Sequence, residues 1–199
     1  MLIVDAINKV AGKVPGCSEL EIVSAYRYAL IDFCIRTRCM TSWVTTTTND
    51  LISPVITSDQ QTVDILDAML DDQDIACAYM NDRAVTAATH EAPVLTWSNP
   101  NVPQVVPQPL VSKDLQLLLV FAPGPTATEI EDTIWMRYGE AIDHGALARL
   151  LLEPGRPYSN PQVGAFHGQQ FDDAITKAAA LLGSRVRTVA RRLRVTPAP

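Results

Sequence analysis

Apolar positions recur at the helical period near both ends of the chain and give way to alternation and proline in the middle. Over residues 18–39 they fall as Ile22/Val23, Tyr26, Ala29/Leu30 and Phe33/Cys34, which predicts a helix with one buried face. "SELE" (Ser18 to Glu21) fits a capping box, in which serine and glutamate satisfy each other's exposed amides. Pro15 and Gly16 read as turn residues just before it, and a weaker helix is expected over 2–11, with Ile3, Ile7, Val10 and Ala11 inward.

Residues 41–128 change character. "WVTTTT" is β-prone, "TVDILDAML" (62–70) predicts a strand, and "DDQD" predicts a turn into a second strand near 75–80. Pro93, Pro100, Pro103, Pro107 and Pro109 exclude a regular helix and any central strand over 91–109. "LQLLLVF" (115–121) predicts a strand ending at "APGP". This middle third is expected to be a β-rich insertion with one proline-stiffened loop.

Helix returns over 129–153, with Thr128 as the expected cap and Glu129, Glu131 and Asp132 at the positive end of the dipole. Such a helix would be about 36 Å long. On a helical wheel Ile134, Tyr138, Ala141, Gly145, Ala148 and Leu152 share one narrow face. Glycine inside a helix costs about 1 kcal/mol relative to alanine, so Gly145 predicts a close approach of another backbone. Leu147 and Leu151 lie on the remaining arc, making the helix apolar nearly all round, so its partner is either a sister helix or a neighbouring subunit. After the break "EPGRPYSNP" a last helix is expected from 161 to beyond 182, with Phe171, Ile175, Ala178 and Leu182 on one face and Gly183 and Ser184 weakening it. The implied fold is α+β: a helical bundle core from 1–40 and 129–184, a β-rich insertion over 41–128 and a basic arm over 185–199.

Composition adds an asymmetry. Hydrophobic residues make up 47% and charged residues 19%, enough for a sizeable core. Residues 177–199 hold six basic side chains and no acid, so the net charge of −6 divides into a strongly acidic body and a basic tail. The tail reads either as an arm for an acidic partner or as a solvated helix end. Cys17, Cys34, Cys39 and Cys77 form no CxxC pair, and no stretch resembles a signal peptide or a membrane span, so reduced thiols and synthesis in the cytoplasm are expected.

Catalytic constellations are weak. Glu140 and His144 stand four apart, which suits two metal ligands but better suits a helix-surface pair; His167 reads as a packing residue. Asp67, Asp71, Asp72 and Asp74 cluster without the spacing of a calcium loop and read as a solvated turn. The tail lacks aromatics for base stacking, so specific nucleic-acid binding is not expected.

Two stretches together carry a resemblance. "AYRYALIDFCIRTRCMTSW" (25–43) and "EAIDHGALARLLLEPGRPYSNPQVGAFHGQQFDDAI" (140–175) resemble the early helix and the C-terminal signature of bacteriophage head–tail adaptor proteins of short-tailed phages. "LLLVFAPGP" resembles the strand and proline turn before that signature, whereas "HEAPVLTWSNPNVPQVVPQP" departs from the pattern. The resemblance implies a non-enzymatic structural protein of the virion neck, made in the host cytoplasm and needing no cofactor. It implies a ring, usually a dodecamer, between the portal protein and the tail nozzle or tube. DNA would pass through that ring without specific binding. It further implies that Arg185, Arg187, Arg191, Arg192 and Arg194 dock on the portal. The alternatives are a head-completion or tail-terminator protein of a longer-tailed phage and, from another class, a small metal-dependent enzyme using Glu140, His144 and His167.

Overall fold

A computed structural model describes residues 2–48, 59–79, 88–97 and 103–192; at Val4 and over 183–192 the backbone alone is described. The chain divides into two compact units, Met1–Cys39 with Pro123–Pro199, and Met40–Ala122.

The first unit is helical: α1 (Ile3–Ala11), α2 (Glu19–Thr37), α3 (Asp132–Leu151) and α4 (Pro161–Arg192). The capping box forms as the sequence predicts. Ser18 N–H donates to Glu21 Oε2 at 3.0 Å, and Glu21 N–H donates to Ser18 Oγ at 3.3 Å. Ile22, Ala25, Tyr26, Ala29, Leu30, Phe33 and Cys34 then form the buried face of α2, which ends at Arg38 in the left-handed region (φ 54°). Asn160 starts α4: its side chain accepts from Val163 N–H and its carbonyl from Gly164 N–H, while Pro161 takes the first-turn position whose amide needs no partner. The backbone of α4 runs unbroken past Gly183 and Ser184.

Thr128 does not cap α3. The carbonyl of Thr128 accepts from Ile3 N–H at 2.9 Å, and Leu2 bridges Glu129. Arg27 Nε also donates to the Ala127 carbonyl at 2.8 Å. The chain before α3 is thus held extended against α1 and α2, and the helix starts only at Asp132, with Glu131 at the N-cap. With 20 residues it spans about 30 Å rather than the longer rod expected.

The second unit is a curled six-stranded sheet in the order β1-β6-β2-β3-β4-β5. Its strands are β1 (Met40–Thr47), β2 (Gln60–Leu70), β3 (Gln73–Tyr79), β4 (Val94–Trp97), β5 (Gln104–Val106) and β6 (Asp114–Pro123). β1 and β6 run antiparallel, from Met40 opposite Phe121 to Thr47 opposite Asp114. β2 and β3 form a hairpin whose turn residues, Asp71 and Asp72, both have positive φ (48° and 62°). β3 pairs parallel with β4, and β4 antiparallel with β5. Ile65, Leu70, Leu95, Trp97, Leu115, Leu117 and Leu119 share the sheet's own apolar cluster.

Two expectations fall here. The chain is α+β, but a helical bundle core with an inserted domain does not describe it: a curled six-stranded sheet dominates, accompanied by four helices among the described residues. The alternating burial of β2 and β6 supplies that sheet with an apolar interior of its own, so it does not depend on a helical core for one. The proline-dense stretch also contains a central strand. β4 lies between β3 and β5 with all four residues buried, because Val94–Trp97 itself holds no proline and Pro93 falls one residue outside it.

Candidate functional site

Most of the α3 side chains singled out in the sequence lie buried in the helical unit, where α3 packs on α2 and α4. Gly145 is the centre of that crossing. A Cβ built on it would stand 2.8 Å from Phe171 Cε2 of α4 and 2.9 Å from Ala29 Cβ of α2. Ile134, Ala141, Ala148, Leu147 and Leu151 are buried in the same unit. Tyr138 is half-buried with its ring 4.9 Å from that of Phe33. Leu152 differs: it closes α3 with 48% exposure, against Gly164. The small-residue seam therefore faces sister helices of the same chain.

Polar contacts fix how these helices meet. Tyr26 Oη donates to Asp143 Oδ1 at 2.6 Å and lies 3.1 Å from the Ala6 carbonyl, tying α2 to α3 and α1. Burial, with Asp143 as acceptor, pushes the Tyr26 phenol well above its ordinary range. Lys9 of α1 sits 3.9 Å from Asp143 Oδ2 and 4.5 Å above the Trp135 ring. Arg36 of α2 pairs with Asp172 of α4 at 2.8 Å.

The break after α3 is a fixed corner. Gly155 takes φ +80°, and Asn160 N–H donates to the Leu151 carbonyl at 2.9 Å. Arg156 reaches Glu21 Oε1 at 2.7 Å and Glu153 Oε1 at 3.1 Å. The glutamate that caps α2 therefore also holds the corner. Its carboxyl lies below the usual range, chiefly through the Ser18 amide and hydroxyl.

A groove of about 340 Å³ runs between α3 and α4, lined by Arg137, Glu140, His144, Asp173, Lys177 and Leu181, among others. At one end His144 and His167 meet Nδ1 to Nδ1 at 2.7 Å, so one ring donates its proton to the other's lone pair. Burial, then His144, then Lys13, hold His167 below the ordinary imidazole value. The two imidazoles thus spend these nitrogens on each other, and Glu140 lies exposed. Among the described residues no group of three or more His, Cys, Asp or Glu is placed to hold a metal. In the β unit, Asp71 of the acidic cluster pairs with Lys113 at 3.0 Å.

Of the basic arm, Arg185, Arg187, Arg191 and Arg192 lie on the α4 backbone with side chains outside the described residues, and Arg194 lies outside them altogether. No described helix is long and apolar enough to cross a membrane.

Sequence reading missed the pairs Tyr26–Asp143, His144–His167 and Arg156–Glu21. Each partner was visible alone, but their separations of 117, 23 and 135 residues carry no periodic signal. Neither protein-family models nor curated proteins give a match to this chain.

Proposed function

We propose that this chain is a structural head–tail adaptor of a short-tailed bacteriophage, a ring subunit joining the portal to the tail around the DNA channel, with no catalytic role. One observation carries the reading. The two stretches that resemble adaptors, 25–43 and 140–175, pack against each other around Gly145: Ala29 of the first abuts Gly145 of the second, and the Phe33 ring of the first lies 6.2 Å from that of Phe171 in the second.

Since the small-residue seam is used within the chain, ring contacts fall to the side chains it leaves outside. Leu20, Met136, Phe166 and Leu181 stand exposed on the helical unit. Ring closure uses two unlike faces of one subunit, and the groove between α3 and α4, carrying Arg137, Glu140, Asp173 and Lys177, offers charges of both signs to one of them. The basic arm meets an acidic portal surface, and the β unit receives the tail nozzle or tube. The acidic body lets DNA slide past, because cationic walls would hold phosphates.

Co-sedimentation of the full chain with the portal protein of the same phage tests this. Binding that is lost on removing residues 185–199 supports it. Absence of binding by the intact chain refutes it, and attachment to tail tubes in place of portals favours a tail-terminator.

A further inference from the structure

We infer that Cys34 and Cys39 are a redox-active dithiol that closes to a disulfide across the end of α2 by exchange with a low-molecular-weight disulfide. The inference is independent of the adaptor reading.

The geometry comes from the helix cap. Arg38 adopts the left-handed conformation, and its N–H donates to the Cys34 carbonyl at 2.9 Å. Such a cap folds the next residue back over the last turn, where an apolar contact ordinarily forms. Here both contact positions are cysteine, and their Sγ atoms stand 3.7 Å apart. Bonding brings them to about 2.0 Å, so the two sulfurs already stand within van der Waals contact of each other. The other two thiols contact oxygen instead: Cys17 lies 3.5 Å from Glu21 Oε2 and Cys77 lies 4.0 Å from the Ile75 carbonyl.

The two sulfurs have different roles. Cys34 is fully buried and cannot meet an outside reagent, whereas Cys39 is partly exposed. In its ionised form Cys39 accepts a hydrogen bond from the Cys34 thiol, which lowers it to about 7, while Cys34 is held high by the same contact and by burial. The Cys39 thiolate attacks one sulfur of a disulfide such as oxidised glutathione. That S–S bond breaks, one thiolate leaves, and Cys39 carries a mixed disulfide. Cys34 then gives up its proton to the departed thiolate and attacks Cys39 Sγ, expelling the second thiolate. The protein pair loses two electrons, and the reagent is reduced to two thiol equivalents.

The test uses the reduced full chain, incubated with graded mixtures of reduced and oxidised glutathione, acid-quenched, alkylated and digested with trypsin. Cleavage after Arg27, Arg36 and Arg38 separates Cys34 (peptide 28–36) from Cys39 (peptide 39–83). The second peptide also contains Cys77, so Cys77→Ser is run in parallel. The expected result is a cross-link between these peptides in the wild type and in Cys77→Ser, absent from Cys39→Ser. Cys34→Ser is expected to accumulate glutathione on Cys39, having lost the thiol that displaces it. No cross-link under fully oxidising glutathione overturns the inference, as does a cross-link lost in Cys77→Ser, or glutathione attached to Cys34 in Cys39→Ser. Should Cys34→Ser fail to fold, the wild-type, Cys77→Ser and Cys39→Ser arms decide alone.

Discussion

Gly145 of α3 and Phe171 of α4 meet with no room for a methyl group: a Cβ on the glycine would lie 2.8 Å from the phenyl ring and 2.9 Å from Ala29 Cβ. Helix propensity favours alanine at this position by about 1 kcal/mol, but overpacking a close-packed core costs about 1–3 kcal/mol. Gly145→Ala should therefore be net destabilising or neutral in urea unfolding, and Gly145→Leu should abolish the folded helical unit. A clear gain in stability from Gly145→Ala would show that the crossing can relax.

The Tyr26–Asp143 bond predicts an asymmetric pair of mutants. Tyr26→Phe leaves the ring in place but strips a carboxylate of its 2.6 Å donor, and should cost about 1–3 kcal/mol. Asp143→Asn keeps an acceptor for the phenol and gives up only the 3.9 Å pairing with the exposed Lys9, so it should cost less. Equal losses in denaturant midpoint would contradict the assigned donor and acceptor.

The histidine pair sets a pH dependence. His167 has a folded value below its unfolded 6.5, so the unfolded chain binds more protons around that pH. Its contribution is present above the unfolded value and is lost as pH falls through 6.5 and below. Thermal midpoints measured from about pH 8 down to about pH 5 should decline, and His167→Gln should flatten that decline. An unchanged slope in the mutant would remove His167 as its source.

The β2–β3 turn offers a stabilising change. Asp72 sits at φ 62°, in the second position of a two-residue hairpin turn, where glycine carries no steric penalty. Asp72→Gly should raise stability by about 0.5–1 kcal/mol despite losing the 3.2 Å bond from Gln116. Asp71→Gly should gain less or nothing, because it also breaks the Lys113 pair and the bond from Asp114 N–H. Chemical denaturation of the two variants compares them directly.

Local signals were legible in this sequence and long-range assembly was not. The capping box of Ser18 and Glu21 and the buried stripe from Ile22 to Cys34 are set by neighbours within one or two turns; the box appears as read, and the stripe does too except that Ala25 is buried in place of Val23. Thr128 has the chemistry of a cap, yet pairing of 128–129 with the start of α1 claims that backbone. β4 is hidden because proline density describes a stretch, whereas a strand needs only the four proline-free residues Val94–Trp97. The six strands find their order through pairings between distant residues, such as Trp43 with Leu118, which no window reveals, so periodicity shows the helices more plainly than the sheet. A continuous helix through residue 39 would separate Cys34 from Cys39. The left-handed turn at a non-glycine residue, Arg38, brings them together.

We propose that this chain is a ring subunit at the head–tail junction. Negative-stain microscopy of the full chain mixed with the purified portal of the same phage, beside the surface variants Met136→Lys and Leu181→Asp, tests it most directly. The account predicts closed rings seated on the portal in the wild type, and folded but unassembled protein in the variants. Portals that remain bare at saturating wild-type protein, with the chain monodisperse in solution, would contradict it.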